Sequence, residues 1–300
     1  MGFLAKMMMK HPKYAVALLL CLLAAAACKS EYETLLEGND IDAKYAAAFS
    51  YFNQGKYQRS AQLFESLSPL TNGTEQGDTV QYYWGLSNYR YKDYYTAESN
   101  FARFIENFPR SPFTADARFL RLDCMYRATY RYELDQAPTR VCLSAIEEYE
   151  REYPNDAAHL EACAAMKKDL NERLDRKAFE SARLYYKMED YLAARVALRN
   201  VLKDNSENVY REDILYYTAM ASYHYARLSV AARQKDRYLT FVDDYLNFVG
   251  EYPESAYRRE MDAMYRRAQR ALGRYQGTDE ELQMKERDFE RDRKKNETQR

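Results

Sequence analysis

The stretch YYTAESNFARFIENFPRSP, residues 94–112, decides how this chain folds. Its Tyr94, Ala97, Phe101 and Phe104 are separated by three, four and three residues, so their side chains share one stripe of an α-helix. Pro109 cannot continue a helix and marks the point where the chain turns. The stretch therefore predicts an amphipathic helix whose apolar face needs a neighbouring helix to cover it.

The same three-four-three spacing recurs at four further places in the chain. These are Tyr57, Ser60, Phe64 and Leu67; Thr139, Cys142, Ile146 and Tyr149; Tyr191, Ala194, Leu198 and Val201; and Tyr238, Phe241, Tyr245 and Phe248. In three copies a proline follows fifteen residues after the first position, at Pro109, Pro154 and Pro253. A stripe repeated five times and closed by proline predicts a helical repeat protein.

Each stripe is preceded by another apolar segment, such as the one with Tyr45, Phe49 and Phe52 before the turn at residues 53–56. Two antiparallel helices with glycine, tyrosine, alanine, phenylalanine and proline in this order resemble the tetratricopeptide repeat, whose period is about 34 residues. Gly85 takes the glycine position of the second unit. The resemblance implies an all-α, tetratricopeptide-like solenoid of about five repeats over residues 41–277. Residues 256–276 would form its C-terminal capping helix.

The repeats are unequal in length. Their first stripe positions are 37, 45, 52 and 47 residues apart. The additional residues include 129–138 and 229–237, which are expected to lengthen helices or loops.

The composition agrees with a water-exposed helical protein. Charged residues make up 30% of the chain and the mean hydropathy is -0.73, while glycine and proline are scarce for an all-β fold. The 30 tyrosines are about three times ordinary usage and suit thin helical layers, because the ring packs while the hydroxyl reaches a polar partner. The net charge of -1 gives no basic footprint for nucleic acid.

The N-terminal segment has the pattern of a secretion signal. Lys6, Lys10 and Lys13 precede an apolar run at residues 15–27, which is too short to span a bilayer. Small residues lead up to Cys28, which resembles the lipidated cysteine of bacterial lipoproteins, although Ala25 stands where that pattern usually has leucine. The resemblance implies that residues 1–27 are removed and that Cys28 carries a covalent lipid, with no other cofactor. The alternative is an ordinary cleaved signal with an incidental cysteine.

The two ends of the mature chain are expected to lie outside the repeats. Residues 28–40 would be a lipidated N-terminus and polar tether, with Asn39 or Asp40 starting the first helix. Residues 278–300 are dominated by charges of both signs and predict a solvated tail, disordered or loosely helical, with a partner-docking helix as the alternative. Cys124, Cys142 and Cys163 are expected to be buried free thiols.

The sequence offers little catalytic chemistry. His159 and His224 stand without acidic or cysteine neighbours at ligand spacing, which favours surface or packing roles. Serine-hydrolase, zinc-protease, phosphate-loop and paired-cysteine motifs are missing. We therefore expect no enzyme and no metal site, and a function based on binding.

In tetratricopeptide arrays the first helix of each unit lines the concave face. Placing this sequence on that pattern predicts a peptide-binding groove formed by Tyr45, Phe49, Phe52, Asn53, Tyr82, Leu86, Tyr89 and Arg90. Such an aromatic trough suits an extended peptide with aromatic side chains, and Arg90 could bind a terminal carboxylate. The alternative for each aromatic residue is packing between helices.

Two groups of arginines could contact acidic partners. Arg118, Arg121 and Arg127 belong to the third unit, while Arg258, Arg259, Arg266 and Arg267 belong to the C-terminal cap. Among them Arg258, Arg259 and Arg266 are the predicted partner-binding residues.

A lipobox cysteine, a tether, five repeat units and a capping helix over residues 28–275 resemble the BamD family, the lipoprotein subunits of the outer-membrane β-barrel assembly complex. The proline-containing segments that end three of the units, at residues 107–112, 152–155 and 251–255, also support this resemblance. It implies a lipid-anchored outer-membrane protein that faces the periplasm and acts in insertion of proteins into that membrane. The C-terminal units would hold the barrel subunit BamA beside the other components of the complex, and the N-terminal units would receive unfolded β-barrel substrates.

Two other functions remain open. The chain could be another periplasmic tetratricopeptide lipoprotein that coordinates cell-wall or envelope processes, since the repeats alone fit both. It could also be an accessory enzyme with a less obvious catalytic site.

Overall fold

The computed structural model describes residues 31–274 and the isolated residues 284, 287 and 291. The predicted signal peptide, Cys28 and nearly all of the predicted tail lie outside these residues. Within the described part, every regular element is an α-helix. None of the helices described is both long enough and apolar enough to cross a bilayer.

Twelve helices follow one another along the described part of the chain. They are α1 (Glu31–Glu37), α2 (Ile41–Asn53), α3 (Tyr57–Leu67), α4 (Gly77–Tyr91), α5 (Tyr94–Asn107), α6 (Thr114–Arg127), α7 (Ala137–Glu152), α8 (Ala157–Lys187), α9 (Tyr191–Asp204), α10 (Arg211–Arg227), α11 (Ala231–Glu251) and α12 (Arg258–Ala271). The helix pairs α2–α3, α4–α5, α6–α7, α8–α9 and α10–α11 correspond to the predicted repeats, and α12 follows them as the predicted cap. The tetratricopeptide-like solenoid is confirmed.

The five stripes form the buried faces of α3, α5, α7, α9 and α11. Phe64, Phe101, Ile146, Leu198 and Phe241 are all fully buried. Apart from Tyr57, Tyr94, Tyr191 and Val201, which are partly buried, every stripe residue is buried. A local pattern of four residues thus determines which side of each second helix enters the core.

Helix ends follow the expected chemistry. Pro109, Pro154 and Pro253 come two residues after α5, α7 and α11 end. At helix starts, Asp40 caps α2 by accepting a hydrogen bond from the Ala43 amide at 3.0 Å, and Asp93 and Asp190 cap α5 and α9 in the same way. Each cap satisfies an amide that the helix itself leaves without an acceptor.

The described residues divide into two compact units. The first extends to Thr129 and includes Ser144–Leu160, and the second consists of Tyr130–Leu143 and the residues from Glu161 onward. The core of the first unit contains the clusters around Phe64 and Phe101. The core of the second contains the cluster of α10, α11 and α12 around Phe241 and the smaller cluster around Phe179.

The length differences between repeats have separate structural origins. Residues 128–136 connect α6 to α7, and Lys177 Nζ donates to the carbonyl oxygens of Glu133 at 2.8 Å and Leu134 at 3.3 Å. The longest interval reflects α8, which has 31 residues. The second predicted insertion extends the N-terminal end of α11.

The segment predicted as a polar tether contains the short helix α1. The Tyr32 hydroxyl donates to Gln62 Oε1 at 2.6 Å, and its ring meets that of Tyr51 edge-on at a centroid distance of 5.5 Å. Leu35 and Leu36 pack against the core of the first unit on the same side. Because three apolar residues lie within one turn and a half, this stretch docks instead of extending freely.

The three cysteines of the described part are free and buried, as predicted. Burial, reinforced by the neighbouring Asp123 carboxylate, raises the pKa of the Cys124 thiol to about 12. Such a thiol stays protonated and behaves as a small apolar side chain.

Gly85 allows α4 to lie close to α5. A Cβ atom at this position would stand 2.9 Å from Cε1 and 3.0 Å from Cδ1 of Phe101, whose ring is fully buried. We expect Gly85→Ala to destabilise the chain by about 1–3 kcal/mol, because a ring in a filled core cannot move aside. Urea unfolding followed by circular dichroism measures the change.

Gly250 provides the matched control within α11. A Cβ atom there meets nothing within 4 Å. Gly250→Ala should therefore stabilise the chain by about 0.5–1 kcal/mol through helix propensity alone. If both alanine variants were stabilising, the close approach of α4 and α5 would not constrain position 85.

Candidate peptide-binding groove

The predicted groove residues of α2 and α4 form part of an aromatic cluster in the first unit. The ring centroid of Phe49 lies 4.9 Å from that of Tyr45, 5.1 Å from Phe64 and 4.7 Å from Tyr83. Phe52 likewise contacts Tyr83 at 5.3 Å. Tyr83, which the sequence reasoning did not select, is the centre of this cluster.

The side chains of Tyr82 and Tyr89 contact the next repeat. Tyr82 is only 6% exposed, stacks on Phe113 at a centroid distance of 4.5 Å, and donates its hydroxyl to Asp116. Tyr89 donates to Asp123 Oδ2 at 2.6 Å. Burial first, and then the hydrogen bond to the carboxylate, raise the pKa of both phenols, that of Tyr89 to about 12.

These tyrosine–carboxylate bonds connect the first helices of successive repeats. In each of the two pairs the donor and acceptor are 34 residues apart, which matches the tetratricopeptide period of about 34 residues. In the second unit Tyr216 donates to Glu260 and Tyr257 donates to Asp213, with separations of 44 residues. A tyrosine followed by an acidic residue one period later was the sequence signal that could have revealed the bonds of Tyr82 and Tyr89.

The remaining groove residues differ in exposure. Asn53 and Arg90 are exposed, whereas Tyr45, Phe49, Phe52 and Leu86 are half-buried. Their side chains therefore combine packing with partial access from solvent, while Tyr82 is enclosed. Their role in peptide binding stays a prediction.

The three arginines of the third unit all have internal partners. Arg118 pairs with Glu152 at 2.6 Å, Arg121 with Glu98 at 2.8 Å, and Arg127 with Asp123. Arg127 thus shares the carboxylate that also accepts the Tyr89 hydroxyl. These partly exposed pairs each contribute little to stability, but an acidic partner would have to compete with the pairs already formed.

The arginines of α12 are placed differently. Arg258 pairs with Asp262 at 2.8 Å, and this carboxylate also accepts the Tyr245 hydroxyl at 2.6 Å. Arg259 is exposed, and Arg266 is half-buried. The Arg266 Nε atom is buried and has no hydrogen-bond partner within the described part of the chain.

The histidines have more neighbours than the sequence indicated. His159 Nδ1 lies 2.7 Å from Asp156 Oδ2, and its ring stacks on Phe119 at a centroid distance of 4.0 Å. The expectation that His159 has no acidic neighbour was wrong, because a carboxylate three residues earlier caps the start of α8. The hydrogen bonds from His159 and Tyr149 lower the pKa of Asp156.

His224 lies between aromatic rings near the end of α10. It stacks on Tyr191 at a centroid distance of 4.9 Å, and its Nδ1 atom is buried without a hydrogen-bond partner within the described residues. Burial and the nearby Arg227 lower the pKa of His224 below its ordinary value of 6.5.

The lowered pKa predicts loss of stability in acid. Below pH 6.5 the unfolded chain binds a proton at His224 that the folded chain does not. The free energy of unfolding therefore falls as the pH is lowered from 6.5 to the folded-state pKa of His224. We expect His224→Phe to keep the stacking. Its melting temperature should fall less than that of the wild type when the pH is lowered from about 7 to about 5. The control His159→Gln should retain the wild-type response of His224. Equal acid sensitivity of His224→Phe and the wild type would contradict this assignment.

The described residues contain no group of three histidine, cysteine or acidic side chains that could hold a metal ion. What the fold and its surfaces define is a helical repeat scaffold of the tetratricopeptide type. The family model described as YfiO, outer membrane lipoprotein, matches residues 38–238, about two thirds of the chain. The chain belongs to this family of outer membrane lipoproteins, which confirms the resemblance found in the sequence.

One characterised relative is the outer membrane protein assembly factor BamD of Caulobacter vibrioides. It is 23% identical to this chain over 210 residues, which cover 69% of this chain and 68% of the relative. The likeness thus extends over most of the repeat region.

Proposed function

We propose that this chain is an outer membrane protein assembly factor that works by binding and carries out no chemical reaction. Its membership of the outer membrane lipoprotein family is the observation that carries the proposal, and the name of its Caulobacter relative supports it. In this proposal Cys28 carries the lipid anchor and the repeats face the periplasm. The chain is one component of a β-barrel assembly complex.

The barrel subunit of that complex, a BamA-like protein, is the proposed partner of α12. The helix has five arginines within Arg258–Ala271 against Glu260 and Asp262, so it presents an excess of positive charge. Arg259 is exposed and therefore accessible to an acidic partner, and the neighbouring Arg258 pairs with Asp262 of the same helix. Charged side chains at the edge of a protein interface mainly raise the rate of association and the specificity of binding.

We expect affinity purification of the tagged chain from gently solubilised envelopes to recover a large β-barrel protein with periplasmic domains. Arg259→Glu combined with Arg266→Glu should remove most of this recovery, because acidic side chains would repel the partner. If the double variant folds poorly, the single variant Arg259→Glu is used for the same measurement.

The matched control is Arg140→Glu with Arg151→Glu, which reverses two exposed arginines of α7. It should leave recovery of the barrel protein unchanged. Recovery of cell-wall synthases without any barrel protein would contradict the proposal and favour a tetratricopeptide lipoprotein that coordinates the cell wall.

The first unit is the proposed receptor for unfolded β-barrel substrates. Half-buried apolar surface is offered by Tyr45, Phe49, Phe52 and Leu86, and exposed polar groups by Asn53 and Arg90. An extended peptide with aromatic side chains could lie on this surface and place its terminal carboxylate on Arg90. Tyr82 and Tyr89 support the surface from below through their bonds to Asp116 and Asp123.

A double-mutant cycle tests this arrangement. For a synthetic peptide that ends in an aromatic residue, replacing the free carboxylate by an amide should weaken binding about tenfold, the loss expected for one charge-assisted contact. Arg90→Gln should cause the same loss and abolish the difference between the two peptides. Arg110→Gln, which removes another exposed arginine, should preserve it. Fluorescence anisotropy measures all four combinations, and an undiminished preference for the free carboxylate in Arg90→Gln would exclude Arg90 as its site.

A further inference from the structure

The turn between α10 and α11 exposes two aliphatic side chains. Leu228 is 64% exposed and Val230 is 71% exposed, although they are only two residues apart. Val230 occupies the N-cap position of α11, where its side chain cannot accept a hydrogen bond from the helix. Val230 therefore contributes neither a buried side chain nor a helix cap, which suggests that it contacts something outside the folded chain.

The turn holds its shape through polar contacts. Gln234 Nε2 donates to the carbonyl oxygens of Arg227 at 3.2 Å and Ser229 at 3.0 Å. Arg237 donates to the Ser229 hydroxyl and lies over the Tyr225 ring at 3.9 Å from its centroid. Leu228 and Val230 are therefore presented by a fixed turn, so contact with an apolar phase costs little ordering entropy.

The neighbouring turn of the second unit adds to this surface. Met188, between α8 and α9, is 65% exposed. The start of α9 is tied to the end of α10 by the stacking of Tyr191 on His224. Both turns lie at the same end of their helical hairpins, and together Met188, Leu228 and Val230 form what we call the apolar tip.

Positive charge accompanies the apolar tip. Arg227, Arg233 and Lys235 are exposed, and none of them forms an ion pair within the part of the chain described by the structure. Arg237 is held inside the turn, and Lys187 lies 3.4 Å from Glu180. The acidic residues of the two turns are Glu189, Asp190 and Asp236, and Asp190 is engaged in capping α9. Three unpaired cations beside an exposed apolar surface match the chemistry of a bilayer interface with anionic headgroups.

We propose that the apolar tip inserts among the lipid headgroups of the membrane surface. Membership of an outer membrane lipoprotein family places a bilayer within reach of the chain, so even a weak second contact gains from high effective concentration. The shape also favours lipid, since hot spots between proteins are enriched in tryptophan, tyrosine and arginine set in well-packed pockets. The tip has exposed, unbranched or aliphatic side chains on two turns and no tryptophan or tyrosine among its three members. It would fix the orientation of the second unit at the membrane, independently of which proteins this unit binds.

Site-specific fluorescence in vesicles tests the proposal. The lipoprotein is purified from membranes as Val230→Cys, labelled with a polarity-sensitive dye, and reconstituted into vesicles of phosphatidylethanolamine and phosphatidylglycerol. Cys124, Cys142 and Cys163 are buried and should not react, and the wild-type chain carried through the same labelling gives the background. We expect the emission to shift to shorter wavelength and to be quenched by lipids with a nitroxide near the headgroup.

Val209→Cys is the matched control because Val209 is 65% exposed in the turn at the opposite end of α10. Its label should show neither the shift nor the quenching. Arg233→Glu with Lys235→Glu should reduce the response of the label at position 230, and only on vesicles that contain phosphatidylglycerol. Circular dichroism confirms that each variant is folded.

Equal responses at positions 230 and 209, or none at either, would overturn the proposal. So would protection of Val230→Cys from a water-soluble thiol reagent in whole cells without any response to vesicles. That outcome would assign the apolar tip to a protein partner.

Discussion

Hydrogen bonds from tyrosine hydroxyls to carboxylates join α4 to α6 and α10 to α12, and the packing at these two junctions depends on them. A two-layer helical array has few positions that are enclosed on all sides, so a side chain with an apolar ring and a polar end fits its layers well. Burying the hydroxyl is tolerable only if it finds an acceptor, and a bond to a charged acceptor contributes about 1.5–3 kcal/mol. Tyr82 and Tyr89 meet this requirement in the first unit, and Tyr216 and Tyr257 meet it in the second. The abundance of tyrosine in the sequence thus has a structural cause.

This constraint limits what the groove can do. An aromatic residue of a first helix can bond to the following repeat or face a ligand, and Tyr82 is enclosed by Phe113 and Asp116. The half-buried rings of Tyr45, Phe49 and Phe52 keep part of their surface available, and the Tyr83 ring packs against those of Phe49 and Phe52. In the proposed groove, specific recognition would therefore depend on a few exposed polar groups, above all Arg90, placed beside apolar surface that is already ordered.

The second helices were predictable from the sequence because their burial is a local property. A stripe such as Tyr94, Ala97, Phe101 and Phe104 determines its own buried face whichever helix covers it. The role of a first-helix aromatic depends on a residue about one period away, so Tyr83 and Asp116 were missed and Tyr82 was assigned to a ligand. The helix α1 was missed because seven residues carry too little periodicity to distinguish a docked turn from a polar tether.

The same reasoning separates structural arginines from those available to partners. Arg118 pairs with Glu152, which lies 34 residues later, so this ion pair repeats the spacing of the tyrosine bonds and belongs to the framework of the first unit. Replacing such an arginine would remove one bond of the framework, worth up to about 1 kcal/mol for a partly exposed pair, so a change in binding would be mixed with a change in the fold. Arg259 and the cations of the apolar tip are exposed and lie outside this spacing. An arginine whose acidic partner follows at the repeat period is therefore a poor choice for locating an interface, and an exposed arginine outside this spacing is a better choice.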